Sequence, residues 1–117
     1  MSHDPKALQA ILGDAVSPDM DVTYRAMFGG ILGYYEGKPF ASMSDVGLAL
    51  KMTRDDDRAA LMEVPGAAAL QYDASQPVSK TYVVVPEAVL HDKKTLRAWI
   101  GRCVAGLKAA PAKNRRK

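Results

Sequence analysis

The stretch Val22-Thr23-Tyr24-Arg25-Ala26-Met27-Phe28-Gly29-Gly30-Ile31-Leu32-Gly33-Tyr34-Tyr35, with its continuation to Met52, decides the fold. Val22, Tyr24, Ala26 and Phe28 alternate with Thr23, Arg25 and Met27, the period of two expected of a half-buried strand. Gly29-Gly30 interrupts that period and residues 31–35 resume it. Glu36-Gly37-Lys38-Pro39 reads as a turn, residues 40–44 as a third strand, Asp45-Val46-Gly47 as a short connection and residues 48–52 as a fourth strand. Strands joined by links this short form an antiparallel meander.

Working outward, both flanks change to a helical period. Upstream, Asp4 is placed as an N-cap with Pro5 at the first helical position. Leu8, Ile11, Leu12, Ala15 and Val16 follow on one face, and Ser17-Pro18 ends the helix. Downstream, Thr53 is expected to cap a second helix. Asp55, Asp56 and Asp57 occupy its first turn, where carboxylates complement the helix dipole, and Pro65-Gly66 stops it. The stretch 67–79 gives no clear period beyond a short strand near residues 70–72. Residues 80–85 are rich in β-branched and aromatic side chains and read as a strand closed by Pro86. Asp92 then caps a last helix with a stripe of Leu96, Trp99, Ile100, Cys103, Val104 and Leu107. The expected class is α+β: two layers, helices packed on an antiparallel sheet, in the order helix, strands, helix, strands, helix. Residues 1–110 are expected to form one domain and 111–117, after Pro111, a basic flexible tail.

Composition is consistent with that reading. Hydrophobic residues make up 48% of the 117 and charged residues 25%, which argues against general disorder. No apolar run approaches the roughly 20 residues that cross a bilayer. Met1-Ser2-His3-Asp4-Pro5 has neither the basic nor the apolar region of a secretory signal. Cys103 is the single cysteine, so no disulfide can form within the chain, and it sits on an apolar helical stripe as a small buried residue. A cytoplasmic location is therefore expected. The net charge of +3 is concentrated at one end. Lys113, Arg115, Arg116 and Lys117 lie in the last five residues, and without them twelve basic side chains face thirteen acidic ones. A nucleic-acid-binding domain normally carries its excess charge on a face of the fold. Here it falls on a tail, whose four charges would give weak, sequence-blind binding.

Candidate catalytic and ligand sites are sparse. The spacing of Gly29, Gly30 and Gly33 fits neither dinucleotide nor Walker patterns, and no helix follows to receive a phosphate. A bend or close approach between paired strands explains these glycines instead. Asp55, Asp56 and Asp57 project about 100° apart on a helix and cannot converge on one ion. His3 and His91, the only histidines, have no neighbour suggesting a nucleophile–base pair. Ser44, Ser75 and Ser79 lack the context of a nucleophile elbow. No catalytic residues, cofactor, metal or small-molecule substrate are expected.

Arg25-Ala26-Met27-Phe28-Gly29-Gly30, followed by Tyr34, Gly37, Phe40 and Ala41, resembles the N-terminal domain of the TfoX/Sxy competence regulators. The resemblance continues through Leu48-Ala49-Leu50-Lys51, Tyr82, Val85-Pro86, Leu90 and Trp99, so it spans most of the chain. The chain departs from the family pattern at Leu32, where relatives often carry glycine and this chain has Gly33 one place later. The resemblance implies Met27, Phe28, Gly29, Gly30, Gly37 and Phe40 as structural motif residues, and a bacterial regulatory domain without catalytic residues. Full-length relatives act with the cyclic-AMP receptor protein at promoters and carry a second, C-terminal domain, so a stand-alone N-terminal domain is expected here. Function is then expected to be non-enzymatic, through a protein partner or a homodimer. The open face of the sheet, or its edge, would provide the surface, with Arg25 and Lys51 as polar rim contacts. The alternative is a weak nucleic-acid-binding module using the sheet and the basic tail.

Overall fold

The computed structural model describes residues 4–16, 20–27, 30–71, 75 and 79–114; the side chains of Met27 and of residues 108–114 are not described. Six strands form one antiparallel sheet in the order β1-β2-β3-β4-β6-β5. The elements run α1 (Pro5–Ala15), β1 (Val22–Met27), β2 (Gly30–Tyr35), β3 (Lys38–Ser44), β4 (Gly47–Lys51), α2 (Asp55–Met62), β5 (Ala68–Ala69), β6 (Tyr82–Val84), α3 (Glu87–Leu90) and α4 (Lys93–Asn114). The fold is α+β with helices on the sheet, as the alternating and helical periods predict.

The meander is built by its turns. Tyr35 pairs with Lys38, so Glu36 and Gly37 alone connect β2 to β3. Both have positive φ, 51° and 82°, the hairpin geometry whose twist matches the flanking strands. β3 and β4 are joined by Asp45 and Val46, and the Val46 amide donates to Ser44 Oγ at 3.3 Å. Between β2 and β3 the register slips at Gly33/Tyr34, a bulge that leaves Phe40 as the extra residue on β3. Phe40 and Ala41 both enter the core, which strict alternation would forbid.

The core lies between the sheet and α1 and α4. Leu8, Leu12 and Ala15 of α1 and Leu96, Ile100, Cys103 and Leu107 of α4 pack against Met43, Leu48, Leu50 and Val83. Asp4 caps α1, accepting from the Lys6 amide at 3.1 Å, and Pro5 takes the first helical position as expected. Asp92 accepts from the Thr95 amide at 3.3 Å at the start of α4. The Thr95 hydroxyl and amide hold the Asp92 carboxyl below its ordinary range. Arg97 Nε donates to the Ala15 carbonyl at 2.8 Å, tying α4 to the end of α1.

Several local expectations are corrected. The cap of α2 is Arg54, not Thr53, and no side chain bonds there. The Thr53 hydroxyl is instead buried against α4, where a β-carbon on Gly106 would meet it at 2.7 Å. β6 is shorter than the apolar run because Ser79 Oγ accepts from the Thr81 and Tyr82 amides, at 3.2 and 2.9 Å, and holds residues 79–81 in a turn. The short strand expected near residues 70–72 is β5 at Ala68–Ala69, though the Leu70 amide still donates to the Tyr82 carbonyl at 3.0 Å. α4 does not stop at Pro111 but continues to Asn114. Proline removes one backbone donor but its fixed φ is helical, so a helix end can run through it. Lys113 is therefore helical; Arg115, Arg116 and Lys117 lie outside the described residues. Among the described residues, no helix is long and apolar enough to cross a membrane.

Candidate interaction surfaces

Of the motif residues, Met27, Gly30, Gly37 and Phe40 lie in the sheet and its turns. Met27 ends β1 and pairs with Gly30; Phe28 and Gly29, between them, lie outside the described residues. A β-carbon on Gly30 would stand 2.7 Å from the Met43 carbonyl oxygen, so glycine is what lets β2 lie this close to β3. Gly37 supplies the left-handed turn position. The Phe40 ring is fully buried, and its Cε1 would lie 3.3 Å from a β-carbon on Gly33. That contact was not anticipated. A glycine opposite a bulky aromatic on the neighbouring strand is the signal that could have found it.

Strand register places Arg25 and Lys51. Arg25, Leu32, Ser42, Ala49, Val84 and Ala68 form one row across all six strands, on the face turned away from Leu48, Leu50 and Val83. Lys51 lies on the same face, paired with Tyr82. Arg25 and Lys51 are not neighbours: three strand spacings, roughly 14 Å, separate β1 from β4. The middle of this face is built from small residues, and Ser42, Ser44 and Ala49 are buried. Leu32, Tyr34, Tyr82 and Val84 flank them half-buried, and Arg25 is exposed. The apolar side chains thus form a half-buried margin around a small-residue centre rather than one exposed patch.

On the helix side, the layer of helices stops short of β1. Val22 and Tyr24 are half-buried and Ala26, on the same face, is exposed. Beside them lies a cavity of about 440 Å³ walled by Val16, Met20, Val22 and Tyr24, with Lys93 and Arg97 from α4. Burial raises the Tyr24 phenol above its ordinary pKa. Lys93 Nζ lies 3.5 Å from Asp14 Oδ2, the one carboxylate among the described residues of the cavity wall. Sequence reasoning missed this site because residues 13–16 and 20–24 meet Lys93 and Arg97 only in space.

The other candidate groups are held in structural roles. Asp57 turns toward α4, 3.9 Å from Arg102 and 3.7 Å from Arg54, while Arg102 stacks on the Trp99 ring at 4.7 Å. Asp55 and Asp56 remain exposed. His91 Nε2 pairs with Glu87 Oε1 at 3.0 Å. Cys103 is buried and donates to the Lys51 and Phe40 carbonyls at 3.0 and 3.4 Å. Burial pushes its thiol pKa up to about 12, which removes the thiolate needed for nucleophilic chemistry near neutral pH. Among the described residues, no group of three or more His, Cys, Asp or Glu is placed to hold a metal ion.

Neither a curated protein nor a solved structure gives a significant match. The family model of the TfoX N-terminal domain matches residues 14–107, from the end of α1 to Leu107 of α4. That span includes every strand of the sheet and the motif residues Gly30, Gly37 and Phe40. The chain belongs to the TfoX N-terminal domain family.

Proposed function

We propose that this protein is a non-enzymatic, competence-regulator-like domain that works in the bacterial cytoplasm by binding a protein partner. One observation carries the reading: the described helices cover only one face of the sheet. The other face presents Leu32, Tyr34, Tyr82 and Val84 half-buried, with Arg25 on the edge strand and Lys51 farther in. Amphipathic aromatics and an arginine are the side chains enriched where proteins dock. Family membership supports a regulatory role, and the buried, protonated Cys103 offers no nucleophile.

Site-specific photocrosslinking tests it. A photoreactive phenylalanine analogue at Tyr34 should crosslink a protein in cells, and the same analogue at the exposed turn residue Glu36 should not. Leu32→Glu should abolish the crosslink without lowering the melting temperature by more than a few degrees. Adducts with nucleic acid instead of protein would replace this reading with a nucleic-acid-binding one. Equal labelling from Tyr34 and Glu36 would reject the face as a docking surface.

A further inference from the structure

β1 ends the sheet, and among the described residues its only strand partner is β2, which leaves its outer edge unpaired. The Glu36 amide donates to the Asp21 carbonyl at 2.9 Å, and the register continues as Val22↔Tyr35 and Thr23↔Tyr34. Hydrogen-bonded and non-hydrogen-bonded pairs alternate along an antiparallel ladder. Thr23 and Arg25 therefore bond inward to β2, while Val22, Tyr24 and Ala26 direct their amides and carbonyls outward. Among the described residues, no backbone group bonds to these three on the outer side.

Natural edge strands are usually guarded by proline, by a bulge, by an inward-pointing charge or by extreme shortness. β1 is six residues long, contains no proline, pairs with β2 without a register shift and carries its only charge, Arg25, on the face away from the helices. The edge also coincides with the cavity. Val22 and Tyr24, whose backbone groups point outward, are the same residues whose side chains wall it. A strand added beside β1 would run about 4.8 Å away, with every second side chain above the helix-side surface. There it would meet the apolar walls of Val16 and Met20, with Lys93 and Arg97 nearby. Among the described wall residues these two cations share one carboxylate, Asp14, which Lys93 already holds. The surplus positive charge favours an acidic side chain on the incoming strand. It disfavours a second copy of this chain, which would bring another Lys93–Arg97 pair toward the first.

We propose that the free edge of β1 receives an extended, acid-bearing segment of a partner protein as a seventh strand, with that segment's alternate side chains entering the adjacent cavity. This deepens the protein-binding reading above and rests on it, but names a different surface from the open face of the sheet. Backbone bonds to Val22, Tyr24 and Ala26 supply sequence-tolerant attachment, and the cavity supplies selection for an apolar–acidic alternation.

Titration of the labelled full chain, followed by amide NMR, tests the proposal. The probe is a capped heptapeptide of leucine and threonine alternating around one central glutamate; its control has lysine in place of the glutamate. The glutamate peptide should shift the amides of Val22, Tyr24 and Ala26, slow their hydrogen exchange at least tenfold, and bind at least tenfold more tightly than the lysine peptide. Ala26→Pro removes one outward amide without touching an inward bond, so it should keep the fold and lose the peptide. Arg97→Gln should erase the preference for glutamate. Because Arg97 also bonds Ala15, its melting temperature is compared with that of Ala26→Pro. Shifts confined to Leu32, Tyr34, Tyr82 and Val84 would overturn the edge site while leaving the protein-binding reading standing. Concentration-dependent shifts at β1 without peptide would mean that a second copy is the occupant and would overturn the proposal. Equal binding of both peptides, or none at millimolar concentration, would overturn it as well.

Discussion

Gly30 lies so close to β3 that a β-carbon added to it would approach the Met43 carbonyl oxygen to 2.7 Å and Ser44 Cβ to 3.4 Å. The first of these atoms is backbone of β3, fixed by the strand pairing that sets Ile31 opposite Met43, and cannot turn aside as a side chain could. Glycine at position 30 is therefore a packing requirement of the β2–β3 pair. Gly30→Val should lower stability by about 1–3 kcal/mol, the usual cost of overpacking a tight contact. For a domain of this size that is a fall in melting temperature of several degrees per kcal/mol. Gly37→Ala tests the other glycine device: its surroundings are open but its φ is 82°, so its smaller loss should come from backbone strain alone. A Gly30→Val melt that matches wild type would disprove the close approach.

The Thr53 hydroxyl is buried without a hydrogen-bond partner, pressed toward Gly106 of α4. An unsatisfied buried hydroxyl costs about 1–3 kcal/mol, whereas an apolar group of the same shape carries no such penalty. Thr53→Val should leave the fold intact and raise stability by about 1 kcal/mol in a urea titration. Gly106→Ala should destabilise, because its new methyl would collide with the same hydroxyl. A Thr53→Val protein that is clearly less stable would show that the hydroxyl has a partner, such as a bound water.

What the sequence revealed and what it hid differ in physical kind. The meander was legible because Val22-to-Met27 and its successors keep a period of two, and because Glu36-Gly37 can adopt the turn between Tyr35 and Lys38. The buried stripe of Leu96, Ile100, Cys103 and Leu107 was legible from helical spacing. α3 and β5, four and two residues long, are too short to display any period. The bulge that brings Phe40 and Ala41 into one core breaks alternation, and only the pairing partner reveals it. Arg25 and Lys51 were expected only as rim contacts; that they share one face, three strand spacings apart, needed the strand register and the sheet order. The cavity beside β1 joins residues more than seventy positions apart, and no local pattern encodes it.

The basic end of the chain makes a separate prediction. Removing residues 113–117 deletes four positive charges and none of the described core, whose last residue on α4 is Leu107. The melting temperature should hold while any affinity for DNA disappears. In the intact protein that affinity should be blind to sequence. With up to four phosphate contacts it should drop about a hundredfold between 50 and 200 mM salt. Sequence-selective binding by the shortened chain would instead locate a nucleic-acid surface on the folded body.

Cys103 links the two layers of the fold and makes stability depend on alkaline pH. Its thiol donates to the Lys51 carbonyl on β4 and the Phe40 carbonyl on β3, and it is buried between α4 and the sheet. Burial raises its pKa from the ordinary thiol value of 9.0 to about 12. Between those values the unfolded chain releases the proton and the folded chain keeps it, so the unfolded state binds fewer protons and stability must fall as pH rises. The contribution is fully present below pH 9 and is lost as pH rises toward about 12, at up to about 1.4 kcal/mol per pH unit for this one group. Tyr24, also raised by burial, adds a slope of the same sign above pH 10. The informative quantity is the difference between wild type and Cys103→Ala in urea titrations at pH 8, 9, 10 and 11, which isolates the thiol. The variant should lose stability at pH 8, from the missing packing and the two abandoned carbonyls, and the gap should narrow as pH rises. A thiol-specific reagent at pH 8 should label the native protein only at the rate of its opening. A constant gap, or rapid labelling of the folded protein, would show that the thiol is neither buried nor protonated as the geometry requires.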